Sequence, residues 1–524
     1  MRRNGILQNF ILKERKVIKL KTIFRTLCMM LALLLCFSAL IACNKKTEEN
    51  QEQTTGEEQT QENGTSTDQV DQNGYEIDGV GERDYGDKEI RILAWEDVRY
   101  NEFDVTMENA TDVLSSAIWK RNLKVEDRLK VQLSVSKTKG NSGNMGNYLS
   151  AASARFQTGD IDAFASYSRV AGSMAINGML TNLNAVNDLD FSKPWWSSGL
   201  VEEGTISGAL YYCSGDISPS LISETMMVYF NKTMVTNHLS QTLEEMGYSD
   251  LYELTKDGQW TLGNMMTFCK DVGVSTDDVK DVNDTFGFAG GWVLYDAFYQ
   301  GSGLRALDRG ADGSVMISDD MGSSKTHNLA NTLIDFLESA DALGTTNWVH
   351  DGLSVTAWRN LNVMFFLDSV YDAPAFVDQG IPFGFLPIPK YDTAQENYYS
   401  LPGFYYTNWS IARSSDRVTE TAATIEVLAS EAHRLSAPAI YETILKAQSS
   451  ETPEDYEMWD FLKSTICIDA GRVFDQCFNE KTWSIFRESV ACRKRDYMGM
   501  YSTHSELLEI QASNLNALVS KLEG

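Results

Sequence analysis

Reactive side chains at workable spacing are scarce in this chain. Its five histidines, His238, His327, His350, His433 and His504, stand apart from one another. None is at zinc-ligand distance along the sequence from another His or Cys, and HExxH does not occur. There is no P-loop, no GxGxxG after a strand-like run and no GxSxG elbow. Acid pairs such as Glu202-Glu203 and Asp319-Asp320 are frequent, but with 73 acidic residues in the chain they read as solvated faces. The stretch Asp308–Asp319 has the outline of a calcium loop around Asp312-Gly313. Gly310 offers no side-chain oxygen, however, and Asp319 occupies the place of the bidentate Glu, so the stretch reads as a turn.

Aromatic side chains set beside turn residues and acids are the more suggestive feature. They occur at Lys193-Pro194-Trp195-Trp196, Gly290-Gly291-Trp292, Tyr371-Asp372 and Pro402-Gly403-Phe404-Tyr405-Tyr406. A saccharide presents an apolar C–H face, which a Trp or Tyr ring covers, and a rim of hydroxyls, which carboxylates, amides and backbone groups pair. Large aromatics also fill cores, and Trp195 and Trp260 suit that role.

The elements that position such residues alternate. Ile90–Trp95 reads as a strand, residues 111–129 as a helix with apolar positions at helical spacing, Val131–Val135 as a second strand, Tyr148–Phe156 as a helix and Ile161–Ala165 as a third strand. Such alternation predicts a parallel sheet with helices on both faces, whose ligands sit beyond the carboxyl ends of the strands. Trp95 and Glu96, and then Ser166 and Tyr167, fall at those ends. Further helical patterns cover 262–275 and 328–341. Strand patterns cover Asn362–Leu367, Phe383–Leu386 and Tyr406–Ala412, and Leu508, Leu515, Leu518 and Leu522 mark a closing amphipathic helix. Two lobes with the chain crossing between them more than once are expected.

With 524 residues, 43% of them hydrophobic, the chain can bury a large core, which excludes a mostly disordered protein. A formal charge of −28 excludes a general nucleic-acid binder. Residues 1–25 carry eight basic side chains against Glu14, and an apolar run from Leu27 to Ala42 follows: the layout of an export signal, residues 1–42. The run is short for a membrane span and ends at a cysteine. Residues 44–75, rich in Glu, Gln, Thr, Asn and Gly, read as a flexible tether. Cys213, Cys269, Cys467, Cys477 and Cys492 remain in the body, an odd number. Cys467 and Cys477 can pair, or all five can be small hydrophobes.

Two resemblances sharpen this reading. Leu40-Ile41-Ala42-Cys43 resembles a bacterial lipobox, which implies diacylation of Cys43, a lipid anchor in the cell membrane and exposure on its outer side. From about residue 85 onward the chain resembles the extracellular solute-binding proteins (family 1) of ABC importers, a mostly sugar-binding class. The matching segments are Gly159-Asp160-Ile161-Asp162, Gly178-Met179-Leu180-Thr181-Asn182-Leu183, Tyr229-Phe230-Asn231-Lys232, Asp257-Gly258-Gln259-Trp260-Thr261 and Phe383-Gly384-Phe385-Leu386-Pro387-Ile388-Pro389-Lys390-Tyr391-Asp392. The last two resemble the large lipoprotein branch of Gram-positive bacteria.

The second resemblance implies an α/β, two-lobed periplasmic-binding-protein-like (type II) fold with a hinge and a ligand cleft between the lobes. The expected layout is 43–85 for the lipidated cysteine and linker, 86–225 plus 370–432 for lobe 1, and 226–369 plus 433–524 for lobe 2. It implies ligand contacts at Trp95, Glu96, Ser166, Tyr167, Glu224, Trp292, Asp368, Tyr371 and Tyr405, with Asp368–Tyr371 on a strand returning to lobe 1. The function implied is capture of a carbohydrate, an oligosaccharide above all, by a monomer that closes on it and delivers it to membrane permease subunits. No cofactor, metal or enzymatic step is implied. The alternatives are an exported glycan-active enzyme, which needs two carboxylates facing one another in a cleft, and an adhesive surface lipoprotein.

Overall fold

The computed structural model describes residues 70–275, 279–346 and 351–523. The export signal, Cys43 and most of the linker lie outside the described residues. Among the described residues, no helix is long and apolar enough to cross a membrane.

Two separate sheets organise the body. The first has the order β11-β3-β1-β2, built from β1 (Lys88–Trp95), β2 (Val131–Thr138), β3 (Ala163–Tyr167) and β11 (Thr407–Ile411). β1 runs parallel to β2, with Lys88 opposite Val131, and parallel to β3, with Ile92 opposite Ala163. β11 closes the edge antiparallel to β3, so the expected parallel sheet is mixed at one side. The helices between these strands start and stop where local chemistry dictates. Asp112 and Ser115 form a reciprocal capping box at the start of helix Val113–Leu129. Gly159, in the left-handed region, ends helix Met145–Thr158 and turns the chain into β3.

The second sheet has the order β10-β4-β9-β5-β8, from β4 (Met226–Asn231), β5 (Phe286–Gly290), β8 (Ala342–Gly344), β9 (Val363–Ser369) and β10 (Phe383–Leu386). β4 and β5 are buried along their whole length, as suits their mostly apolar side chains. A small hairpin, β6 (Leu307–Arg309) and β7 (Val315–Ile317), occupies the stretch with the calcium-loop outline: Asp312 accepts the backbone N–H of Ser314, as a turn aspartate does.

The chain leaves the first sheet at Glu224–Met226 and returns through Leu401–Thr407. These passages lie side by side: Met226 N–H donates to the Leu401 carbonyl, and Gly403 N–H to that of Glu224. β9 does not return to the first sheet as expected. After Ser369 the chain only grazes the junction, where Val370 N–H donates to the Thr225 carbonyl, and then turns back to form β10 beside β4. The segment 370–432 therefore contributes Phe383–Leu386 to the second sheet, and the return to lobe 1 lies after Leu386 rather than at 370.

The start of the body is also earlier than 86. Asp71 pairs with Arg434, Asp78 with Arg128 at 2.5 Å, and Arg83 with Asp188 at 2.6 Å, so residues 70–85 are fastened to the first lobe rather than free. All five body cysteines are free thiols, with Cys213 and Cys269 buried.

Candidate functional site

A cavity of about 870 Å³ lies between the two sheets. Its walls come from chain segments that leave the carboxyl ends of parallel strands, where backbone groups and loop side chains converge. Beyond β1 is Arg99. Beyond β2 is the loop Asn141–Asn144. At the end of β3 are Tyr167 and Arg169, and on the approach to β11 are Phe404 and Tyr405. The second lobe adds Trp292 beyond β5, Phe366 and Asp368 from β9, and Ser354 from helix Asp351–Arg359. Glu224 lies at the first crossing, and Arg487 enters from a C-terminal helix, Lys481–Ala491.

The loop after β2 is fixed from below. Asp97 accepts the backbone N–H groups of Gly140 and Asn141 at 2.9 and 3.1 Å. Gly140 has no spare room, because a Cβ there would lie 3.0 Å from both Trp95 and Tyr148.

Charge is concentrated around Arg99. Its Nε stands 2.5 Å from the Glu224 carboxylate, and its guanidinium lies 4.2 Å from the Tyr371 ring centroid and 5.2 Å from that of Tyr405. Burial opposes the charge of Arg99, but Glu224 and Asp372 outweigh it and raise its pKa. Burial pushes the Glu224 carboxyl up to about 7 although Arg99 and the Tyr405 N–H hold it down. Asp368 is pushed up to about 8, first by burial and then by neighbouring Asp372. Asp372 itself is raised by burial against the pull of Arg99 and Arg359. The site thus holds carboxylates poised to change protonation near neutrality, aromatic faces and a fixed cation.

Of the nine residues expected to contact ligand, Tyr167, Glu224, Trp292, Asp368 and Tyr405 line the cavity. Tyr371 stands one layer back, against Arg99 and the Tyr100 ring. Trp95 is fully buried beneath the site: its indole N–H donates to Thr407 Oγ1 at 2.8 Å, and its ring supports Tyr167 at 5.2 Å. Ser166 is buried within β3. Glu96 is exposed, its backbone N–H committed to Thr138, and it does not line the cavity. The sequence reading missed Arg99, Asn141–Asn144, Arg169 and Arg487, and it marked Phe404 only within the aromatic run Pro402–Tyr406, not among the ligand contacts. The rule that ligands gather beyond strand ends, applied four residues past Trp95 and to the Gly-Asn loop after β2, would have found the first two groups. Trp195 and Trp260 are buried: Trp195 donates to Glu426 and Trp260 to the Pro387 carbonyl.

No family model and no curated protein matches the sequence. Solved structures do match. A cyclo/maltodextrin-binding protein complexed with maltotetraose is similar over 80% of this chain and 97% of its own, at 13% identity and a TM-score of 0.52. The maltose/maltodextrin-binding domain of Bdellovibrio bacteriovorus, bound to maltotriose, covers 81% and 98% at 12% identity and a TM-score of 0.51. The maltose-maltodextrin binding protein of Alicyclobacillus acidocaldarius covers 80% and 100% at 11% identity and a TM-score of 0.50. At these identities the likeness establishes the fold: this chain has the two-lobed, periplasmic-binding-protein-like architecture.

Proposed function

We propose that this chain is an extracellular solute-binding protein of the family 1 type, which captures a carbohydrate between its lobes and hands it to the permease of an ABC importer. The observation that carries the reading is the cavity itself. Its aromatic and carboxylate lining is drawn from the strand ends of both lobes, so a ligand gains its full set of contacts only when the lobes are together. A ligand with that differential affinity shifts an open–closed equilibrium, which is capture by hinge closure. Trp292, Tyr405 and Phe404 suit the C–H faces of sugar rings, and Glu224, Asp368 and the Asn141–Asn144 loop suit their hydroxyls. The maltotetraose and maltotriose held by proteins of the same fold support an oligosaccharide as cargo. Acylation at Cys43 would moor the protein to the outer face of the cell membrane as a monomer.

A thermal-shift screen against malto-oligosaccharides and other glycans tests this directly, since a ligand of the native state raises stability by RT ln(1 + [L]/Kd). If no saccharide stabilises the protein, carbohydrate capture is wrong.

One observation favours a second reading. Glu224 and Asp368 are two carboxyl groups in one cleft, both pushed toward neutral pH, and glycoside-cleaving sites use such a pair with one group raised to act as acid and the other ionised. The 2.5 Å ion pair with Arg99 favours the ionised form of Glu224 and weighs against its service as an acid. Reducing-end release from any glycan that binds would establish the enzyme instead.

A further inference from the structure

Two arginines lie over one ring of the cavity wall, and a third joins them through a shared carboxylate. The Arg472 guanidinium is 3.6 Å from the centroid of the Phe404 ring, and that of Arg169 is 4.8 Å from it. Arg472 stands 2.6 Å from the fully buried Asp296, which Arg487 also holds. Burial and, more weakly, Arg169 oppose the charge of Arg487, but Asp296 outweighs them and raises its pKa.

The cluster is balanced within the protein. Arg169 pairs through Nε with Asp475 and through Nη2 with Glu480, both at 2.8 Å. Arg487 donates from Nε to Asp296 Oδ1 at 2.9 Å and from Nη2 to Asp296 Oδ2. Asp296, Asp475 and Glu480 thus match the three arginines charge for charge, and the fold itself keeps the guanidinium groups charged and fixed.

The face turned to the cavity is not balanced. Arg169 and Arg487 line it, whereas Asp296, Asp475 and Glu480 do not. The cluster is therefore a fixed dipole with its positive end on the cavity, a preorganised seat for negative charge. Among the described residues, Nη1 of Arg169 and Nη1 of Arg487 make no hydrogen bond to the protein, so each arginine keeps one donor uncommitted. Over the whole wall, Arg99, Arg169 and Arg487 stand against Glu224 and Asp368, in a chain whose 73 acids outnumber its 45 bases. Burial pushes both of those carboxyls up toward neutrality, which weakens their negative charge near pH 7. Hydroxyls can be paired by amides and carboxylates alone. A positive end turned on the ligand is worth most to an anion, and one donor from each of two arginines suits the two oxygens of a carboxylate.

We propose that the cargo is an acidic saccharide, a glycan bearing a uronate-type carboxylate, and that Arg169 and Arg487 bind this carboxylate beside the Phe404 face. The inference rests on the saccharide-capture reading and adds to it the charge class of the sugar and the residues that select it.

Calorimetric titration of the full chain with matched ligands tests it. The probes are galacturonate and glucuronate trisaccharides, the methyl ester of each, maltotriose and a sulfated trisaccharide. At pH 7 and low salt, an acid trisaccharide should bind about tenfold or more tighter than its own ester, and that lead should shrink as salt rises. Arg487→Gln leaves Asp296 its pair with Arg472, and Arg169→Gln combined with Asp475→Asn removes a cation together with its buried partner, so neither strands a buried charge. Each should lower the affinity of the acid far more than that of the ester, cutting the acid-to-ester ratio about tenfold, whereas damage to the fold lowers both alike. Should one of them fail to fold, the other decides. Arg495→Gln, which breaks exposed pairs to Asp335 and Glu338, should leave the ratio unchanged. Esters that bind as tightly as their acids, a ratio untouched in the folded variants, or a sulfated glycan preferred to every uronate overturns the proposal. Maltotriose bound with no preference for acids would sink the acidic cargo and leave capture standing, and a chain that binds no saccharide at all would sink both.

Discussion

The Arg99 guanidinium and the Glu224 carboxylate meet 2.5 Å apart in the wall of the interlobe cavity, one from the loop after β1 and the other from the first crossing. The pair ties the first lobe's strand-end loop to the segment where the chain crosses between the lobes. Glu224 is 3% exposed, so its charge depends on Arg99. Glu224→Gln keeps the shape and removes the charge, and it should weaken binding of whichever saccharide the wild type takes up by roughly 10–100-fold, the worth of a charge-assisted hydrogen bond. Titration calorimetry on variant and wild type measures it. Arg99→Met should cost stability as well, about 1–3 kcal/mol by denaturant unfolding, because it strands a buried carboxylate.

Protonation near neutrality follows from Asp368. Its carboxyl is held up to about 8 in the folded protein, well above an exposed aspartate, by burial and by Asp372, with Arg99 opposing. A raised acid favours folding in its protonated form, so its contribution to stability falls as pH rises from about 4 toward 8. Asp368→Asn removes that loss. The variant should match wild type near pH 4 and melt about 1–3 °C higher near pH 8, as scanning calorimetry at the two pH values would show. An equal offset at both would mean that the charge of Asp368 is not what costs stability.

The strand-and-helix alternation through the first sheet was legible because β1 to β3 keep apolar runs bounded by Gly and polar turns, with amphipathic helices between them. Phe383–Leu386 was legible as a strand but not as a member of the second sheet. Local pattern carries no partner, and only the backbone pairing of Phe383 with Asn231 decides it. β5 and β8 were missed. Phe286–Gly290 is a short Gly-interrupted run, and Ala342–Gly344 has three residues, too few for any period to show. In the site, residue type pointed to Trp95, but a strand's last apolar side chain turns inward as readily as outward. The charge in the cavity wall came instead from Arg99, four residues later, where only its place beyond a strand end, and no residue motif, marks it.

The contrast between Trp95 and Trp292 separates support from contact. Trp95 is fully buried under Tyr167 and Tyr405, so Trp95→Ala should destabilise the protein by about 3–5 kcal/mol. Trp292 is half-buried in the cavity wall. Trp292→Ala and Tyr405→Ala should lower saccharide affinity about tenfold or more while shifting unfolding far less than Trp95→Ala. Denaturant unfolding and calorimetry on the three variants test the assignment, which fails if Trp292→Ala and Tyr405→Ala both bind as wild type does.

Gly403 offers the finest probe of the crossing. Its N–H donates to the Glu224 carbonyl at 2.7 Å, and a Cβ added there would sit 2.7 Å from Glu224 Oε2. The methyl group of Gly403→Ala must therefore push the carboxylate off Arg99 or move the return crossing itself. Overpacking of this kind costs about 1–3 kcal/mol. Because the displaced Oε2 belongs to the same carboxylate whose Oε1 holds Arg99, saccharide affinity should fall at least as far as in Glu224→Gln. Combining the two substitutions should add little further loss, since both act on the same carboxylate. Additive losses in the double variant, measured by calorimetry, would show that Gly403 matters for the path of the crossing and not for the seat of Glu224.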